Sequence, residues 1–184
     1  MKCGKMKNIA FVVLSIILLF VLCYGCKDTI VESEEVGKIN FQEGTIENIK
    51  TDDDTTAVLK ILGEPDWIGL GDIDGFSFCY EAKLFPGREE LIVFFVNKNY
   101  GKRPGDYRVT GISVMNGYSG KSKEGIGIGS SKADVFKAIG LPSAVYEFGE
   151  NYLFERNDKK TNYVIITYDE NLKVRGIVMD TRTN

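Results

Sequence analysis

The sequence contains no histidine. That removes the commonest general base, the usual activator of a nucleophilic Ser or Cys, and the commonest metal ligand. Cysteine is nearly as scarce. Of the four present, Cys3, Cys23 and Cys26 fall in the first 26 residues, and Cys79 stands alone. One thiol cannot staple a fold, so a disulfide framework is excluded from the folded part even in an oxidising compartment. Cys79 lies in Phe76-Ser77-Phe78-Cys79-Tyr80, a strand-like stretch, and is expected to be a packed strand residue. Zinc has no tetrahedral ligand set among one spare Cys and no His. A basic excess is missing too. Without residues 1–25, which hold Lys2, Lys5 and Lys7 and no acid, the balance is 20 basic to 26 acidic residues. A nucleic-acid protein needs a basic face, and so does a protein held on anionic headgroups by charge. No nucleic acid is therefore expected as a partner.

Long apolar runs are absent, with one exception. Ile9 to Leu22 carries only Ser15 as a polar residue and follows three lysines. As a helix this run spans about 21 Å, short of a hydrocarbon core of ~30 Å. It suits the apolar region of an export signal better than a permanent span. The run closes on Leu22-Cys23-Tyr24-Gly25-Cys26, with Gly25 as the small residue a signal peptidase needs before the cut. This resembles the lipobox of bacterial lipoproteins, in which Cys26 becomes the lipidated first residue. It departs from that pattern at Cys23 and Tyr24, where Leu and a small residue are usual. An uncut anchor helix reaching Tyr24, or ordinary cleavage without lipid, stays open. The resemblance implies a diacylglyceryl or acyl lipid on Cys26, no other cofactor, and a location on the extracytoplasmic side of a bacterial membrane. Two acyl chains suffice for stable attachment.

Residues 26–44 read as the lipidated Cys and a flexible tether, with Glu32, Glu34 and Glu35 clustered in it. The remainder reads as two copies of one unit, residues 45–116 and 117–184. Val58, Lys60, Gly63 and Pro65 recur as Val135, Lys137, Gly140 and Pro142. Each set describes a short helix with one apolar face, a glycine at its end and a proline that forbids continuation. Asp53 or Asp54 in one copy, and Ser130 or Ser131 in the other, are placed to cap it. Strand-like stretches follow in the same order: Phe76–Tyr80, Leu91–Val96 and Val109–Ile112, against Tyr152–Arg156, Tyr163–Tyr168 and Val174–Ile177. The expected fold is α+β, two tandem repeats of a short helix followed by a three-stranded antiparallel sheet.

The lead through Gly125-Ile126-Gly127-Ile128-Gly129-Ser130 into Ser131-Lys132-Ala133-Asp134-Val135, ending at Ile139-Gly140-Leu141-Pro142, resembles the SmpA/OmlA-like lipoproteins of outer-membrane assembly. Doubled, the unit resembles the β-lactamase inhibitory protein fold. The first copy departs, with Ile49-Lys50-Thr51-Asp52-Asp53-Asp54 in place of the glycine lead. The resemblance implies protein binding in general and leaves the partner open.

Chemistry-bearing motifs are few. The glycine run lacks the spacing of a phosphate-binding loop and reads as a strand-to-helix turn. Asp52-Asp53-Asp54 and Asp72-Ile73-Asp74 lack the late bidentate Glu of a calcium loop. No carboxylate pair stands out as acid and base. The aromatics Trp67, Phe85, Tyr100, Tyr107, Tyr118, Tyr146, Phe148 and Tyr152 fall in or beside expected loops and strand ends. Tyr and Trp bring large rigid area to interfaces, so Trp67, Tyr100 and Tyr146 are the candidate docking residues. The expectation is a membrane-anchored protein-binding module that is not an enzyme. The alternatives are an inhibitor of an envelope enzyme and a carboxylate-based envelope hydrolase.

Overall fold

Two short helices carry the strongest local signals. Helix α1, Thr55–Leu62, is capped by Asp54, whose side chain accepts from the Ala57 N–H at 2.8 Å. Helix α2, Lys132–Ile139, is capped by Ser131 in a reciprocal box with Asp134. Such caps contribute about 1 kcal/mol each. Both helices end on a glycine, Gly63 at φ 82° and Gly140 at φ 84°, with ψ of −165° and −159°. That is a region open in practice to glycine alone. Each glycine N–H returns to the last turn, on Leu59 O and Phe136 O.

The rest is strand. The computed structural model describes residues 36–70, 75–82, 85–97, 106–156 and 158–183, which lie within one compact unit, 34–184. Cys26, the apolar run 9–22, Asp72–Asp74 and Tyr100 lie outside the described residues. Before α1 come β1 (Val36–Asn40), β2 (Thr45–Ile46) and β3 (Ile49–Lys50). After it come β4 (Trp67–Leu70), β5 (Gly75–Ala82), β6 (Phe85–Asn97), β7 (Tyr107–Met115) and β8 (Lys121–Ser122). After α2 come β9 (Ala144–Tyr146), β10 (Gly149–Glu155), β11 (Lys160–Tyr168) and β12 (Val174–Thr183). No helix among the described residues is long and apolar enough to cross a membrane.

This corrects the expected α+β fold of two tandem repeats, each a short helix followed by a three-stranded antiparallel sheet. The chain is mostly β. Each helix is followed by four long-sheet strands, and all eight form one antiparallel sheet in the order β4-β5-β6-β7-β12-β11-β10-β9. A second sheet, β3-β2-β1-β8, is mixed, because β1 pairs β8 in parallel. The tether expectation is corrected as well from Val36 onward: β1 is a central strand, and Ile39 and Phe41 are buried.

The long sheet is centred on the β7–β12 pair, where Ser113 faces Val178, Ile112 faces Met179 and Val114 faces Ile177. The environment is matched on the two sides. Val109 N–H donates to Asp53 O beside α1, and Val174 N–H to Ser130 O beside α2. The register also corrects an alignment. Ile92 and Ile165 occupy corresponding places, each one strand out from the Ser113–Val178 pair. The sequence pairing of Leu91 with Tyr163 is therefore one residue out, and a one-residue slip exchanges the two faces of a strand. Leu91, Val93, Val164 and Ile166 are all buried on the inner face.

That inner face is the core side. Phe78, Val93, Phe95, Ile112, Val164, Ile177 and Met179 pack with Val58 of α1, Val135 of α2, and Ile39, Ile46 and Ile49 of the small sheet in one cluster. Phe41 stacks on Phe154 at 5.5 Å. Asn162, fully buried, donates to Phe41 O at 2.9 Å and Gln42 O at 2.8 Å and accepts from Thr181 Oγ1 at 2.8 Å. A buried amide with both ends used is a structural clamp.

Candidate functional site

Antiparallel sheets with one solvated face normally alternate apolar-in and polar-out. Here the outer face is apolar too. Directly opposed residues share a face. One register row therefore crosses all eight strands: Trp67, Cys79, Ile92, Ser113, Val178, Ile165, Asn151 and Ala144. At ~4.8 Å per strand the face is about 35 Å wide. Ile165 in the row is exposed, and beside it stand Phe94, 40% exposed, and Leu153, 44% exposed, with Val96 also exposed. Nothing among the described residues covers them. Contiguous exposed apolar surface of this kind marks interaction sites.

Among the described residues, the two buried side-chain polar atoms without a hydrogen-bond partner, Ser113 Oγ and Asn151 Oδ1, both lie in that row. Asn151 is 8% exposed. It lines a hollow of about 400 Å³ at the β9–β12 end, with Tyr146, Tyr163, Ile165, Asp180 and Arg182. Arg182 Nε donates to Asp180 Oδ2 at 2.9 Å, and its guanidinium carbon lies 4.6 Å from the centre of the Tyr163 ring. Asp180 raises the Arg182 pKa above its ordinary value, chiefly by that hydrogen bond. The other half differs at the corresponding edge. There Trp67, half-buried beside Cys79, holds the place that Ala144 holds beside Asn151.

The candidate docking residues are thus dispersed. Trp67 and Tyr146 lie on the two edge strands, at opposite ends of the long sheet. Tyr146 is 57% exposed and Phe148 79% exposed, and both border the hollow. Tyr107, Tyr118 and Tyr152 serve the core. Tyr107 packs edge-on against Phe76 at 4.9 Å, and buried Tyr118 donates to Glu47 at 2.6 Å. Tyr152 donates to Glu150 at 2.9 Å. Sequence reading missed Asn151, Asp180 and Arg182. Only pairing across four strands brings them to one hollow, and no local spacing records that.

Glu150 holds the main polar cluster of the inner face. Its carboxylate takes Lys132 Nζ at 2.6 Å, Tyr152 at 2.9 Å and Tyr168 at 3.0 Å. Burial opposes its charge, but those three donors outweigh burial and hold the carboxyl below its usual range. Burial and the nearby carboxylate push the Tyr152 phenol up to about 12. Lys132 begins α2, so the cluster ties that helix to β10.

The remaining motifs are absorbed by the fold. Gly127 lies in the turn before α2, where a Cβ would come within 2.8 Å of Gly120 O. The N-terminus of α2 is already filled by its own Asp134. Asp54 caps α1, Asp53 accepts from Lys50 N–H, and Asp52 pairs with Lys160 at 3.5 Å. Among the described residues no three of His, Cys, Asp and Glu cluster as a metal would need. Cys79 is buried.

No family model and no curated protein matches the chain. Solved structures similar to it include an extracellular SCP-domain protein of Bacillus anthracis, at 14% identity and a TM-score of 0.45 over 70% of this chain and 43% of that one. A DUF4309 family protein of Bacillus subtilis is 15% identical with a TM-score of 0.43, over 79% of this chain and 88% of that one. A cysteine-rich secretory protein of Staphylococcus aureus is 11% identical with a TM-score of 0.44, over 71% and 44%. The chain spans less than half the length of the first and the last of these. Likenesses this distant carry no functional argument.

Proposed function

We propose that the chain is a membrane-tethered, extracytoplasmic binding module that docks a partner protein on the outer face of its eight-stranded sheet. The observation that carries this reading is the uncovered apolar surface of Ile92, Phe94, Val96, Ile165 and Leu153, where a solvated sheet face would be polar. The export signal and the lipobox-like Leu22–Cys26 support the address, with the lipid on Cys26. A photo-crosslinking side chain placed at Phe94 in the living cell should yield one reproducible protein adduct. The same probe at Lys123, outside the sheet, should not. Phe94→Asp with Ile165→Asp should abolish capture by a probe at Val96. An adduct pattern identical at Phe94 and Lys123 would end the reading. Labelled palmitate should enter the protein and be lost on Cys26→Ser; incorporation without Cys26 would refute the anchor.

A further inference from the structure

We propose that the hollow at the β9–β12 end of the outer face binds an uncharged, amide-bearing sugar of the N-acetylhexosamine class. The hollow meets the proposed docking surface at Ile165, but sugar binding needs no protein on that surface, and either can fail alone.

Three properties of the hollow select this chemistry. The first is the orphan acceptor. Asn151 is more than nine-tenths buried, and its Oδ1 has no donor. Asn162, one strand away on the opposite face, has every end of its amide occupied. Leaving such an oxygen unpaired costs stability, and a ligand donor would remove the cost. An acetamido group offers a donor and an acceptor side by side, matching a side-chain amide at both ends.

The second is charge. Asp180 and Arg182 are the charged residues of the lining, and they neutralise each other. A peptide carboxylate would need an unpaired cation, and an amine would need an unpaired anion. A hydroxyl both donates and accepts, so vicinal hydroxyls suit a carboxylate beside a guanidinium.

The third is shape. Tyr146 and Phe148 stand exposed at the lip. Flat apolar rings there accept the C–H face of a sugar ring, which is apolar although its rim is not. A volume of about 400 Å³ lies in the range of small-molecule pockets, roughly 300–1,000 Å³. At the corresponding register position the other half carries Trp67 where this half carries the small Ala144.

The test is calorimetric titration of the full chain in detergent with N,N′-diacetylchitobiose. Cellobiose, which has the same rings without the acetamido groups, and N-acetyl-leucyl-leucine are the comparison ligands. Diacetylchitobiose should bind saturably, and cellobiose at least tenfold more weakly. Tyr146→Ala, and Ala144→Trp, which imports the indole of the first half, should each weaken binding at least tenfold without lowering the unfolding temperature. Asn151→Leu should abolish binding and raise that temperature. No saturable heat, equal binding of cellobiose, tighter binding of the dipeptide, or full binding by both Tyr146→Ala and Ala144→Trp would each overturn the proposal.

Discussion

Glu150 shows how one side chain can set an acid limit. Its carboxylate is charged, buried and supplied with three donors. Glu150→Ala takes away the acceptor shared by Tyr152, Tyr168 and the partly exposed Lys132, so it should cost about 2 kcal/mol in urea denaturation at pH 7. The folded carboxyl has a pKa below its unfolded value. Its contribution is therefore fully present above the unfolded value of about 4.3 and is lost as pH falls through the lower, folded one. Glu150→Gln should flatten the acid limb of the stability profile below about pH 4, and an unchanged limb would contradict the assignment. Cys79 permits a simpler measurement. It is buried in the outer row, one strand in from the β4 edge. In Cys26→Ser protein lacking residues 1–25, a thiol reagent should label no sulfur in the native state and one in urea. Rapid native labelling would mean that the β4–β5 edge opens readily.

At the scale of elements, the helices were legible and the sheets only partly so. A cap, an apolar face, a glycine and a proline within twelve residues are local signals, and Asp54, Ser131, Gly63 and Gly140 stand where those signals put them. Ser131→Ala should cost about 1 kcal/mol. Gly140→Ala, forced into a glycine-only region, should cost about 1–3 kcal/mol; both are read from denaturation midpoints. The six longer strands were readable from their apolar runs. The edge strands β4 and β9 were not, because four and three residues are too few to show alternation, and half of each faces solvent. The two-residue strands β2, β3 and β8 carry no period at all. Nor could the sequence register Leu91–Val96 on Tyr163–Tyr168. Both faces of these strands are apolar, so a slip of one residue leaves the pattern almost unchanged while exchanging inside for outside.

The same two-sided apolarity governs the whole molecule. It hid the site, since Phe94 and Ile165 read as core residues in any local window, and only the layered packing shows that α1, α2 and the small sheet cover one face. Trp67 and Tyr146 lie on the two edge strands, far apart across the sheet. Tyr146 borders a hollow, whereas Trp67 stands at the register position that Ala144 holds in the other half. Phe94→Asp and Ile165→Asp fall on partly exposed positions of inner strands, so each should cost about 1 kcal/mol while removing partner capture. A loss of several kcal/mol would show that this face is packed in the native protein, and not free.

The parallel pairing of β1 with β8 has a kinetic consequence. β1 is the first strand of the described chain, yet its neighbour at Lys121–Ser122 lies far downstream. A polypeptide threaded through a translocation pore amino end first would leave β1 unfinished until Ser122 had emerged. Closing so long a loop is slow. Such delay would defer the final collapse of the small sheet until most of the polypeptide is free.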